Sequence, residues 1–161
     1  MTTTTQDIVL TRTIAAPLET VWNAWTDPAV IRQWWGPPGF TCNSATVDFR
    51  EGGRYVWNMH ASAEMGGFDM YTAGTYTAIE PLEFIDFTQS ISDAAGIPLD
   101  PAILAMPVDF PPEVRSTITF RAVEGGTLIT VTEYDWPVGE QRDMSEAGMA
   151  GCIDKLEALL G

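Results

Sequence analysis

Between Ala45 and Tyr134 apolar and polar side chains alternate, and glycine or proline interrupts the alternation at the spacing of hairpin turns. The pattern predicts strands at about Ala45 to Phe49, Arg54 to His60, Asp69 to Glu80, Glu83 to Ile91, Val114 to Ala122 and Thr127 to Tyr134. Gly52-Gly53, Glu80-Pro81-Leu82 and Glu124-Gly125-Gly126 are the turns between them, so the whole reads as an antiparallel meander. Upstream, Ile8 to Ile14 is rich in threonine and β-branched residues and reads as a first strand. Pro17 then opens a short helix over Leu18 to Trp25, because proline in a first turn gives up only an N–H that has no partner there. Asp27-Pro28 repeats the signal, with Asp27 as cap, and a second short helix runs to about Trp35. Gly36-Pro37-Pro38-Gly39 cannot continue a helix and must turn. After Pro137 the period becomes helical. From about Glu140 to Leu160, Met149, Cys152, Ile153, Leu156, Leu159 and Leu160 recur on one side and Asp143, Glu146, Asp154 and Glu157 serve the other.

The order strand, two short helices, six strands, long helix predicts one α+β domain over residues 1–161, with all helical mass on one side of a sheet of about seven strands. One segment departs from compactness. Ser92 to Pro112 holds five prolines together with Ile97, Leu99, Ile103, Leu104, Met106, Val108 and Phe110, and room for a helical turn around Pro101 to Ala105. A connection of about twenty residues is longer than a hairpin needs, and such loops serve as lids or binding surfaces. Its apolar content fits a lid, a partner surface or a homodimer contact.

Charge narrows the classes of function. With 8 basic against 22 acidic residues and a formal charge of -14, the average surface repels phosphate backbones and anionic headgroups, so neither nucleic acid nor membrane is expected as a partner. No apolar run approaches the ~20 residues of a membrane span, and Met1 to Asp7 shows no apolar core of a secretory signal. Cys42 and Cys152 are the only cysteines and form no CxxC spacing, which suits a reducing cytoplasm.

Candidate chemistry is sparse. His60 is the only histidine, no zinc-ligand spacing exists, and Gly52-Gly53 reads as a turn and not as a phosphate loop, so neither metal nor cofactor is expected. Alternation puts Tyr55, Trp57 and Met59 on one face of their strand, and His60 with Arg54, Val56 and Asn58 on the other. Tyr76, Phe87, Ile118 and Phe120 line the same concave side, either as core or as the walls of a ligand cavity. Trp34-Trp35-Gly36-Pro37 reads as packing that pins the second helix to the sheet, with an exposed interaction patch as the alternative. Glu133 is the notable acid. Ile129 and Val131 are core positions, and a period of two carries Glu133 to the same face, where a carboxyl must be paired or hold its proton. The competing reading sets it at a fraying strand end, in solvent or paired with Arg54.

An ordered set of short motifs runs the length of the chain: Ile14-Ala15-Ala16-Pro17 with Val21-Trp22, Trp25-Thr26-Asp27-Pro28, Trp34-Trp35-Gly36-Pro37, Asp48, Gly52-Gly53, Gly74-Thr75-Tyr76 and Gly151 to Leu160. This set resembles the heat-shock protein 90 ATPase activator homologue family of the START-like superfamily, which also holds the Bet v allergen and polyketide cyclase folds. The resemblance implies a helix-grip fold, in which the sheet wraps the long helix and leaves an elongated cavity, with Met149, Cys152 and Leu156 joining the aromatic positions as ligand contacts. It implies no fixed catalytic set. Many relatives carry Trp after the glycine equivalent to Gly151; Cys152 stands here and implies a wider cavity, unless Met149 or an aromatic fills it. Three functions follow as expectations. The first is a binder of a small apolar or aromatic molecule, acting as a carrier or in sequestration, stress or resistance. The second is a cyclase- or hydratase-type enzyme using Glu133 with Tyr55 or Tyr76. The third is a chaperone partner that stimulates an ATPase, as the family name suggests.

Overall fold

The computed structural model of the protein describes residues 4–107 and 109–161; Met1 to Thr3, and Val108 of the long connection, lie outside the described residues. Strand β1 (Thr5–Ile14) leads into helices α1 (Leu18–Thr26) and α2 (Pro28–Trp34). Two short strands, β2 (Phe40–Thr41) and β3 (Ala45–Val47), come next. The meander follows as β4 (Arg54–Ala61), β5 (Asp69–Glu80), β6 (Phe84–Ser92), β7 (Val114–Val123) and β8 (Gly126–Pro137), and α3 (Glu140–Leu160) closes the chain. The sheet order is β1-β8-β7-β6-β5-β4-β2, antiparallel throughout, with β3 also paired to β4. This is the α+β helix-grip architecture that the pattern and the resemblance imply. The seven expected strands are present, and β2 adds an eighth that two residues could not announce by periodicity.

The predicted helix signals act as physics requires. Asp27 Oδ1 accepts from the Ala29 N–H (2.9 Å), capping α2 with Pro28 in its first turn. Trp34 and Trp35 are packed and not displayed. Trp34 is fully buried, its indole N–H donating to the Ala24 carbonyl (2.9 Å), so that α2 is tied to α1. From there a run of edge-to-face contacts crosses to the sheet: Trp25 to Trp34 (4.6 Å between centroids), Trp34 to Trp35 (5.7 Å), and Trp35 to Trp57 (4.8 Å). Such pairs add to the area they bury, about 0.5–1.5 kcal/mol each.

The close approach of β5 and β6 at Gly74 depends on a missing side chain. Gly74 lies opposite Tyr55 in the register of β4 with β5, and a Cβ there would land on the Thr88 carbonyl oxygen of β6 and crowd the Tyr55 ring. The absence of that atom lets the Tyr55 ring lie across β5 and its hydroxyl donate to Thr88 O (2.8 Å).

Helix α3 is held by three polar grips. Arg12 on β1 pairs with Asp154 (2.7 Å) and Glu157 (3.1 Å). Lys155 donates to the carbonyls of Gly36 (2.9 Å) and Phe40 (2.8 Å). Arg142, nearly buried, donates to the carbonyls of Asp7 (2.8 Å) and Gln6 (3.3 Å), beside the irregularity in β1 between Gln6 and Ile8, and pairs with Asp143 and Glu146. Of the expected apolar stripe, Met149, Cys152, Ile153 and Leu156 are buried and Leu160 is half-buried against the core; Leu159 is exposed. Gly151 allows the close approach of α3 to the turn after α2, since a Cβ would overlap the Pro38 ring.

Replacing Gly74 by alanine is expected to lower stability by about 1–3 kcal/mol, through overpacking against backbone that cannot give way. Urea unfolding would report it as a lower midpoint at unchanged slope, and an unchanged midpoint would refute the overpacking argument.

Candidate functional site

The sheet and α3 pack tightly at one end and separate at the other. At the packed end the helix buries Ile153 and Leu156. Toward its N-terminus it carries Ser145, Gly148, Met149 and Cys152 over a cavity of about 270 Å³. The sheet side is formed by Met59 on β4, Met70 and Thr72 on β5, Gln89, Ser90 and Ile91 on β6, Val114 on β7, and Glu133 and Trp136 on β8. Trp35, Pro37 and Phe40 close one flank, and Met106, Phe110 and Pro111 of the long connection close another. Met144, well exposed on the first turns of α3, marks where the cavity meets solvent.

Strand β8 explains how an acid and an indole come to face the same space. It runs to Pro137, three residues beyond the expected end at Tyr134, so Glu133 lies within the ladder opposite Ile8 and Ser116 and not at a frayed end. The alternation then breaks at Asp135, which takes a left-handed conformation (φ 58°) and donates its N–H to Asp7 Oδ1 (2.9 Å). Aspartate tolerates that region better than most residues. The break turns Trp136 to the same side as Glu133, three positions away, and its indole N–H donates to Glu133 Oε1 (3.0 Å).

Glu133 is only 3% exposed, and Arg54 does not pair with it: that guanidinium donates to the Gly96 carbonyl (2.6 Å). Burial pushes this carboxyl up to about 7, with Trp136 and then Gln89 pulling the other way; Gln89 itself donates to Ser116 Oγ (2.9 Å). Near neutrality the group therefore exists both as a proton-holding acid and as an anion. Cys152 across the cavity is pushed up by burial to about 12 and stays a thiol.

Of the residues expected to contact a ligand, Met59, Met149 and Cys152 line this cavity together with Glu133. Tyr55, Trp57, Tyr76, Phe87 and Ile118 surround instead a void of about 10 Å³ at the packed end, hardly the space of one water molecule. Phe120 and Leu156 line neither and belong to the core. Strand parity assigned these side chains to the concave face correctly; it carries no information on where along the strand the helix stops touching the sheet. The same parity carried further would have reached Met70 and Thr72 from Tyr76, Gln89 from Phe87, and Val114 from Ile118. No periodic signal points to Trp136, which depends on the break at Asp135. His60 lies on the outer face, half-buried, with its Nδ1 2.9 Å from Asp69 Oδ1. Asn58 on that same outer face is buried, where it binds Asp69 and the Asn43 N–H.

The long connection is ordered by its own short contacts. Asp93 Oδ1 accepts from the N–H groups of Ala95 (2.9 Å) and Ile97 (3.0 Å), Ser92 bridges Pro98, and Pro101–Leu104 forms the expected helical turn, of the 3-10 kind. Phe110 stands edge-on to Trp136 (5.6 Å), while Ile97 and Ile103 face outward. No group of three or more His, Cys, Asp or Glu among the described residues is arranged to hold a metal ion, and no helix among them is long and apolar enough to cross a membrane.

Solved structures share this architecture. A Chromobacterium violaceum protein is 25% identical and superposes with a TM-score of 0.74 over 96% of this chain and 97% of its own. An AHSA1-like protein from Aeromonas hydrophila is also 25% identical, with a TM-score of 0.69 over 95% of this chain and 90% of its own. The AHSA1 protein of Silicibacter pomeroyi, 21% identical, has a TM-score of 0.73 over 96% and 97% of the two chains. No curated protein matches this chain. The family model described as activator of Hsp90 ATPase homolog 1-like protein matches residues 15–161, nearly the whole length. With its START-like helix-grip fold, the chain belongs to the activator of Hsp90 ATPase homolog 1-like family.

Proposed function

We propose that this protein binds a small, largely apolar molecule between its sheet and α3, and that Glu133 anchors the one polar group of that molecule. The observation that carries the reading is a buried carboxyl, held by the Trp136 N–H at one oxygen, on the wall of a mostly apolar cavity. Few polar groups in a mostly apolar concavity is the usual constitution of a small-molecule site, and about 270 Å³ lies at the small end of the usual ~300–1,000 Å³. Five of the seven methionines line it, and their flexible thioethers adapt to a ligand's outline. Met106, Phe110 and Pro111 support a lid role for the long connection. Its opposite face, with Ile97 and Ile103 exposed, is the surface through which a homodimer would form.

A second reading, an enzyme of the cyclase or hydratase type, draws on the same carboxyl, since an acid that titrates near neutrality can exchange a proton with a bound ring. The phenols named as its partners give that reading no support. Tyr55 spends its hydroxyl on Thr88 O, and Tyr76 sits with it at the packed end.

Binding of the neutral fluorophore N-phenyl-1-naphthylamine tests the cavity directly. Cys152→Trp and Gly148→Leu, which fill the helix side of the cavity, are expected to weaken its binding about tenfold or more with the far-UV circular dichroism unchanged. Equal binding by folded variants would place the probe elsewhere and defeat the reading.

The carboxyl also sets a pH dependence. In the unfolded chain Glu133 ionises near 4.5, and in the folded chain near 7, so between these values the folded form keeps a proton the unfolded form has lost. Its contribution is complete below pH 4.5 and is lost as pH rises toward 7, a change on the order of 3 kcal/mol. Urea unfolding of wild type and Glu133→Gln across this window is expected to show the variant free of that decline; parallel curves would contradict the burial argument.

A further inference from the structure

The walls of the cavity are one-sided in charge. Among the described residues Glu133 is the only one in the lining with a formal charge, and no lysine, arginine or histidine of theirs lines the space. The two cations of α3 are engaged elsewhere: Lys155 with two backbone carbonyls, Arg142 with the Asp7 carbonyl, Asp143 and Glu146. An anionic ligand would meet a carboxylate with nothing to offset it, and a purely neutral one would leave that carboxylate unpaired in a dry site. Trp35, Phe40, Phe110 and Trp136 bring ring faces and edges to the same space, and ring faces attract cations, most strongly when water is excluded. The positive end of α3 is met by Glu140 and Asp143 in its own first turn, so it does not turn a cation away. A formal charge of -14 over the chain draws cations toward the surface.

Resting on the binding reading above, we propose that the occupant is a lipophilic organic ammonium ion, with its nitrogen against Glu133 and its apolar body among the methionines and rings. The other titratable groups whose charge reaches Glu133 are the Cys152 thiol on α3 and the Tyr55 phenol on β4, both pushed up by burial and therefore neutral. From β7, Arg115 lies over the Tyr134 ring, on the other side of the sheet from Glu133. Docking an ammonium ion against a protonated Glu133 forms an ion pair and releases that carboxyl's proton to solvent. The proton count is thus part of the assignment.

Calorimetry of the full chain with 1-naphthylmethylamine and the matched neutral 1-naphthylmethanol separates the possibilities. At about pH 8 the amine is expected to bind about tenfold or more tightly than the alcohol, and the preference to shrink at about pH 6, where buffers of different ionisation heat would report release of close to one proton. Glu133→Gln is expected to bring the amine to the level of the alcohol and leave the alcohol unchanged. Alcohol binding as tight as the amine, indifferent to the variant, would overturn the cation assignment and leave the pocket reading standing. Binding of neither compound at millimolar concentration would overturn both.

Discussion

A curled sheet that grips a helix encloses a volume its own side chains must either fill or leave hollow, and the rest of this structure follows from how the two halves of that volume are treated. At one end six-membered and indole rings meet edge to face from α1 and α2 down to β4, and the space between Tyr55, Tyr76 and Phe87 is nearly closed. At the other end the helix offers Ser145, Gly148 and Cys152, too small to reach the sheet, and the sheet answers with methionines. Rigid packing at one end supports the hollow at the other. Arg142 grips the helix beside the hollow, and Lys155 adds a polar hold at the packed end.

Within the hollow, the energetic burden falls on one carboxyl. Ionised and unpaired it would be among the costliest groups in the protein; holding its proton it is tolerable, and the Trp136 N–H offsets part of the cost of ionisation. A partner that neutralises it makes the ionised state the favoured one. On the proposed binding reading, occupancy and protonation of this site are linked.

How much of this could be read from the sequence differs sharply between elements. The bounds of β5 and α3 coincide with the expected ones, because a strand of alternating residues closed by proline and a helix opened after proline state their limits chemically. Asp27-Pro28 was equally explicit. Glu133 was legible as an inward acid because Ile129 and Val131 set the phase of its strand. The cavity's true outline was not. Which inward residues touch α3 and which border the cavity depends on the angle between helix and sheet, and that angle is set by nonlocal contacts such as Gly151 against Pro38. Trp136 was hidden for another reason: a single residue, Asp135, leaves the extended conformation and resets the phase after it.

The pairing of β1 with β8 joins residues near Thr5 to residues near Pro137. As the chain leaves the ribosome, β1 has no partner until those later residues emerge, on the order of ten seconds afterward. Ile8, Leu10 and Ile14, which end up in or against the core, spend that time uncovered. The first strand of the fold is among the last to be sheltered. Its alternating threonines and its one arginine, Arg12, keep the waiting edge polar enough not to recruit a neighbour.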